Sequence, residues 1–263
     1  MAHPYEVIVL LLAIALAPVL WQLRAPLSNL HRFWVYPSEV STLILGGKTD
    51  KALSALRRTH GDYRAFNQLY AENNDPWELG NPSNRYQQRK YRTLLSLLPK
   101  ERRFYSALDA GCGIGFFTRM LAGHAERILG VDLSQSAIDR AKEMHRDVAN
   151  LQFMSGDIFN LPETMNGQFD LVVLADVLYY VPSETGDTLK TITRRIAKLL
   201  TPGGCCAIVN HYFLWDQPTR SSKRIYAAFQ RTPGVRVVRR YWVPFFSVVI
   251  LEKEGQPEKR RMG

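Results

Sequence analysis

The sequence predicts an α/β protein, a doubly wound, mostly parallel seven-stranded sheet preceded by an N-terminal transmembrane helix. Three observations predict it. Residues 7–23, VIVLLLAIALAPVLWQL, carry no charge. From residue 104 onward, short apolar runs alternate with amphipathic segments of helical period, the pattern of a parallel sheet with helices on both faces. Between the first run and the first such helix stands a glycine-rich turn, Gly111-Cys112-Gly113-Ile114-Gly115. The 263 residues are 46% hydrophobic, which supplies a core and excludes general disorder. Cys112, Cys205 and Cys206 have no C-x-x-C spacing, so neither a disulfide framework nor a zinc site is predicted, and a reducing compartment is.

The run reaches 19 residues when Tyr5 and the charged Glu6 are added, within the ~17–25 that span a bilayer. Tyr5 and Trp21 stand at its ends, where interfacial aromatics belong. No Lys or Arg precedes it, while Arg24 and Arg32 follow, which places the remainder on the cytoplasmic side. A cleaved signal peptide needs a basic leader that MAHPYE lacks. Residues 1–23 are therefore expected to be a single-pass anchor, with residues 5–23 in the membrane.

Residues 24–48, with Pro26, Pro37 and Gly46-Gly47, are expected to be a juxtamembrane linker carrying an amphipathic patch at 40–45. Thr49 or Asp50 can cap a helix running to about Glu72 with Leu53, Leu56, Phe66 and Leu69 on its apolar side. A loop rich in Asn, Pro and Gly follows, then a helix marked by Tyr86, Tyr91, Leu94, Leu95 and Leu98 and ended by Pro99. Residues 49–99 are expected to cover a site in the core, 100–254. Its predicted strands are 104–108, 128–131, 151–154, 169–174, 205–209, 235–241 and 246–252, the last two pairing at one edge. Helices are predicted at 117–125, after a Ser134 cap, after a Ser183 cap and around 224–229, with Thr201-Pro202-Gly203-Gly204 as a breaker. Residues 255–263 form a basic tail.

The net charge of +10 is unevenly placed. Residues 101–200 carry 11 basic and 13 acidic side chains, whereas residues 201–263 carry 11 and 4. Basic flanks around a near-neutral core suit an anionic membrane surface beside the anchor and need no nucleic acid.

The turn at 111–115 follows a strand and opens a helix, so its backbone can approach a ligand closely. Asp132 ends the second strand, 21 residues after Gly111, the spacing of a carboxylate that accepts from ribose hydroxyls. Gly156-Asp157 follows the third strand, where a carboxylate can meet an adenine amine. A dinucleotide fingerprint would place Gly or Ala where Phe116 stands. Asp109 would repel a pyrophosphate but suits a ligand bearing an ammonium and a sulfonium. Asp176, Tyr179 and Tyr180 follow the fourth strand and His211 the fifth, at the sheet edge where open α/β folds bind ligands.

LDAGCGIG at 108–115, Asp132, the Gly-Asp pair, FDLVVLADVLYY at 169–180 and LTPGG at 200–204 resemble the class I S-adenosylmethionine (SAM) methyltransferases over roughly residues 85–252. Asp75-Pro76-Trp77 and Tyr86-Gln-Gln-Arg-Lys-Tyr91 are similar more narrowly to the nodulation protein S family, whose members methylate an amine on a chitooligosaccharide. That family often has Glu where this chain has Asp176. The resemblance implies a Rossmann-like methyltransferase fold and SAM as cofactor. It implies Asp109 near the methionine ammonium, Gly111, Gly113 and Gly115 in the cofactor turn, and Asp132 on the ribose. Gly156, Asp157 and Ile158 would flank the adenine, with Cys112, Leu133 and Ala175 adjoining. Trp77 and Arg89 would cover the cofactor, Arg89 at its carboxylate. Asp176, Tyr179 and His211 are the catalytic candidates, and no metal is implied. The acceptor is expected to be a small molecule, an amino-sugar derivative or a lipid-linked precursor, methylated on N or O. Two other readings are an NAD-dependent oxidoreductase, opposed by Phe116 and Asp109, and a non-catalytic membrane-tethered nucleotide or nucleic-acid binder.

Overall fold

The computed structural model describes residues 37–101, 103–180, 186–211, 218–243 and 245–255. In chain order these form α1 (Pro37–Glu72), α2 (Arg85–Leu97), β1 (Phe104–Ala110), α3 (Phe116–Leu121), β2 (Ala125–Asp132), α4 (Gln135–Met144) and β3 (Leu151–Ser155). Then come β4 (Phe169–Ala175), α5 (Gly186–Leu199), β5 (Leu200–His211), α6 (Pro218–Gln230), β6 (Val235–Val243) and β7 (Phe246–Lys253). The strands make one seven-stranded sheet in the order β3-β2-β1-β4-β5-β7-β6. The first five are mutually parallel and β7 runs antiparallel to both its neighbours. The expected pairing of the last two strands at one edge is found.

Strand periodicity sorts the core into two layers. On β4, Leu171 and Val173 join Leu94 of α2 and Phe117 and Leu121 of α3, while Val172 and Leu174 join Ile196 of α5 and Phe229 of α6. Burying each such Leu or Ile stabilises the fold by about 1.5–3 kcal/mol. Because β1 to β5 are parallel, their carboxyl ends and following loops share one edge, and the candidate residues collect there.

Three local expectations are corrected. Thr49 and Asp50 do not start a helix, because α1 already begins at Pro37, inside the expected linker. α1 breaks instead at Gly61, whose φ of 73° and ψ of 169° are non-helical. The Thr-Pro-Gly-Gly segment follows the end of α5 at Leu199 as expected, but β5 already begins at Leu200, ahead of it, rather than at Cys205. The β4–β5 register shifts from Phe169↔Leu200 to Leu171↔Cys205, so residues 201–204 bulge out of a strand that continues. Ser134 caps α4 as expected, accepting from the Ala137 N–H at 3.2 Å. The Ser183 cap and residues 7–23 lie outside the described residues. Among those described, no helix is long and apolar enough to cross a membrane.

Candidate active site

The glycine turn is stitched to the end of β2. The Gly111 and Cys112 N–H groups donate to the Val131 carbonyl at 2.7 and 3.0 Å. The Gly113 N–H donates to Asp132 Oδ2 at 2.9 Å, and the Ser134 N–H to Oδ1 at 2.9 Å. Only glycine fits at 111: its φ is +77°, and a Cβ there would lie 2.3 Å from Val177 Cγ2. At Gly113 a Cβ would sit 2.6 Å from the Tyr70 hydroxyl. The Gly156 N–H donates to the Asp132 carbonyl at 2.9 Å, so the loop after β3 hangs on the same residue. Asp157 shapes that loop by accepting from the Phe159 N–H at 2.9 Å.

Above this edge lies a cavity of about 580 Å³, roofed by α1 and the loop before α2. Asp50, Asp62, Asp109, Asp132, Asp157 and Asp176 line it, and among the described residues no Lys or Arg does. Phe66, Tyr70, Trp77 and Tyr180 form an aromatic wall. Asp50 fastens two of these rings, accepting from Trp77 Nε1 at 3.2 Å and the Tyr180 hydroxyl at 2.8 Å. Asp75 sets the Asp75-Pro76-Trp77 turn by accepting from the Leu79 and Gly80 N–H groups, and the Pro76 carbonyl accepts from Thr49.

Asp109 is 1% exposed, and its Oδ2 accepts from the Thr118 hydroxyl at 2.6 Å. Burial pushes its pKa up to about 7, opposed by the Thr118 hydrogen bond and reinforced by nearby Asp132. Burial also raises Asp132, against its N–H donors, and pushes the Cys112 thiol well up. Gln87, 8% exposed, also lines the cavity, and its Oε1 has no hydrogen-bond partner among the described residues. The cavity thus presents acceptors awaiting a donor, the surface a cation recognises.

At the end of β4, Asp176 adopts a left-handed backbone with φ of 57°, a conformation costing about 1–3 kcal/mol unless its surroundings fix it. Its Oδ2 accepts from Lys90 Nζ, and its Oδ1 accepts from the His211 backbone N–H at 2.9 Å and lies 3.4 Å from His211 Nδ1. Burial works to raise its pKa, but Lys90, and then His211, outweigh it and hold the carboxyl well below the usual carboxylate range.

Trp77, Asp109, Cys112, Asp132 and Leu133 all line the cavity, as do Gly156, Asp157, Ile158 and Ala175. Gly111, Asp176 and His211 do as well, while Gly113 and Gly115 stand behind it holding the turn. The Tyr179 side chain lies outside the described residues. Arg89 does not line the cavity, and its guanidinium lies 5.6 Å from the centre of the Phe246 ring. On α2 the inward face carries Tyr86, Gln87, Lys90, Tyr91 and Leu94, which turns the adjacent Arg89 aside. Sequence reasoning missed Asp50, Tyr70, Gln87 and Lys90. The helical period of Tyr86, Lys90 and Leu94 was the signal that could have found Lys90.

The family model described as Nodulation protein S (NodS) matches residues 65–209, more than half of the chain. The chain belongs to this family. The NodS match runs from the second half of α1 into β5, so it contains the glycine turn, Asp132, Lys90 and Asp176, while Asp50 and His211 fall just outside it. A nodulation protein S of Rhizobium tropici is 32% identical over 152 residues, 56% of this chain and 59% of that protein. A demethylmenaquinone methyltransferase of Staphylococcus saprophyticus is 36% identical over 101 residues, 37% of this chain and 41% of that one. The chain therefore spans under two thirds of the length of these curated relatives. The crystal structure of the N-methyltransferase NodS from Bradyrhizobium japonicum WM9, in complex with S-adenosylhomocysteine, superposes with a TM-score of 0.61 at 23% identity. That superposition covers 73% of this chain and 97% of that one, and establishes the shared fold.

Proposed function

We propose that this chain is a SAM-dependent methyltransferase that moves the methyl group to an amine nitrogen of a small-molecule acceptor. The observation that carries this is the cavity itself, lined by six aspartates and by no Lys or Arg among the described residues. Both reactants would be cationic, a sulfonium with its ammonium and a protonated amine. A nicotinamide dinucleotide, with its pyrophosphate, suits this lining poorly, which weighs against the oxidoreductase reading. The similarity to the S. saprophyticus demethylmenaquinone methyltransferase and to the B. japonicum N-methyltransferase NodS supports methyl transfer.

The residues present fit SAM. Asp109, its pKa raised to about 7 by burial, gains most from an ammonium beside it. Each Asp132 oxygen accepts one backbone N–H and keeps lone-pair capacity for ribose hydroxyls. Asp157 and Ile158 stand where the adenine would lie. Bound SAM supplies an already activated methyl, so the chain mainly aligns the acceptor nitrogen at ~3–3.5 Å and removes its proton. Asp176, with both oxygens engaged, orients rather than abstracts, and His211, which lines the cavity beside it, would take the proton.

Residues 5–23 anchor the domain on the cytoplasmic side of a membrane, a reading supported by the uncharged run, its terminal aromatics and the arginines that follow. An amino-sugar derivative or a lipid-linked precursor is the acceptor class this placement favours, through the raised local concentration of a bilayer-resident substrate. Resistance of the full chain to alkaline extraction from membranes tests the anchor. Calorimetric titration of the full chain with S-adenosylhomocysteine and with NADH tests the cofactor. Micromolar binding of the first alone, abolished by Asp132→Ala, supports the proposal, and NADH binding without it reverses the choice.

A further inference from the structure

Lys90 is a lysine with no exposed surface, buried beneath the cavity floor rather than lining it. Its Nζ sits 5.2 Å from the centre of the Tyr86 ring and 5.4 Å from that of Tyr91, and it donates to Asp176 Oδ2. The other Asp176 oxygen faces His211, through the backbone N–H and the 3.4 Å approach of Nδ1. The titratable groups that feel Asp176 from neighbouring elements are Tyr91 of α2 and Tyr180 after β4, with Asp109 of β1 beyond Tyr91. None of these is a cation, so among the described residues Lys90 is the buried cation set against the Asp176 charge.

A carboxylate beside an imidazole does two things. It fixes the tautomer by accepting from one nitrogen, and it draws a second proton onto the ring. The first prepares a base and the second destroys it. A buried cation on the far side of the carboxylate keeps the first effect and offsets the second. We infer that Lys90 is a positioning residue, which lets Asp176 hold His211 as the neutral Nδ1–H tautomer so that Nε2 can accept the proton of the acceptor ammonium.

This rests on the amine-methylation reading above. The balance is simple. An ammonium N–H bond breaks and its proton passes to His211 Nε2, leaving the nitrogen lone pair. The N–C bond forms as the methyl's C–S bond breaks, that electron pair stays on sulfur, and His211 returns its proton to solvent.

The test is imidazole nitrogen NMR on the full chain in detergent, labelled with ¹⁵N-histidine and saturated with S-adenosylhomocysteine, His211 being assigned by His211→Gln. At pH 7.5 the wild type is expected to show one protonated and one bare nitrogen, with Nδ1 the protonated one. In Lys90→Met the two shifts converge on the imidazolium pattern, and in Lys90→Arg they separate again. Wild-type His211 as an imidazolium or an Nε2–H tautomer overturns the inference without any variant. So does an unchanged pattern in folded Lys90→Met. If Lys90→Met does not fold, Asp176→Asn serves instead, and retention of the pure Nδ1–H tautomer there overturns it. Calorimetry on the same samples separates the two readings: wild type that fails to bind S-adenosylhomocysteine sinks the methyltransferase proposal, while normal binding with the wrong tautomer sinks only the role of Lys90.

Discussion

Asp109→Asn should make the ligand-free protein more stable at pH 8 while damaging its binding site. Burial raises the Asp109 pKa from 3.8 to about 7. The folded pKa lies above the unfolded one, so the contribution of this carboxyl to stability is fully present below pH ~4 and is lost as pH rises toward about 7. Three units at 1.36 kcal/mol each make the penalty about 4 kcal/mol once the group is ionised. Asparagine cannot ionise and escapes it. Weakening the 2.6 Å hydrogen bond from Thr118 takes back about 1 kcal/mol. The net gain is then about 3 kcal/mol at pH 8, roughly 6–12 °C in Tm for a domain of this size, against a loss of about 1 kcal/mol at pH 4. Thermal unfolding followed by circular dichroism between pH 4 and 8 gives both values. The reasoning is refuted if the variant's Tm difference from wild type does not grow with pH. The same substitution should weaken S-adenosylhomocysteine binding at pH 8, a trade between stability and function.

Other perturbations follow from particular contacts. Gly111→Ala should destabilise the fold by at least 1–3 kcal/mol through its positive φ and its clash with Val177, and Gly111→Ala/Val177→Ala should recover only the clash component in chemical denaturation. Asp50→Ala removes the shared acceptor of Trp77 and Tyr180, so limited proteolysis should cut near Gly61 faster than in wild type while the Tm of the sheet moves little. Cys112 should resist iodoacetamide at pH 8 in the native protein and react on unfolding, because burial raises its thiol; rapid native labelling would show the turn to be open.

The parts of the site legible in the sequence are those set by short-range chemistry. The glycine turn, Asp132 and Gly156-Asp157 each follow a recognisable apolar strand, and each strand end places its residue without reference to the rest of the chain. Arg89 stands one step from the inward face of α2, and one step along a helix turns a side chain by about 100°. Asp50 escaped notice because its partners, Trp77 and Tyr180, lie 27 and 130 residues away, and no local pattern encodes such pairings. The Gly46-Gly47 pair, expected in a linker, lies within α1, while Gly61 makes the break. The Thr-Pro-Gly-Gly signal marks the end of α5 at Leu199 as expected, while its residues, expected outside the strand, form a bulge within β5.

The roof has a consequence for assembly. Arg57 donates to the Tyr180 carbonyl across 123 residues of sequence, and Asn67 accepts from the Ser136 N–H across 69. α1 is synthesised before the sheet, yet its docking points do not exist until β1 to β4 have formed. Contacts of such long span reward the chain only after its loops are closed, which makes α1 the late-arriving piece in folding and the first to leave when the native state loosens. Amide exchange in residues 49–60 should therefore be faster than in β1 and β4. The aromatic wall and the glycine turn meet only once this last piece has settled, so the cavity is completed by the final act of folding rather than inherited from the sheet beneath it.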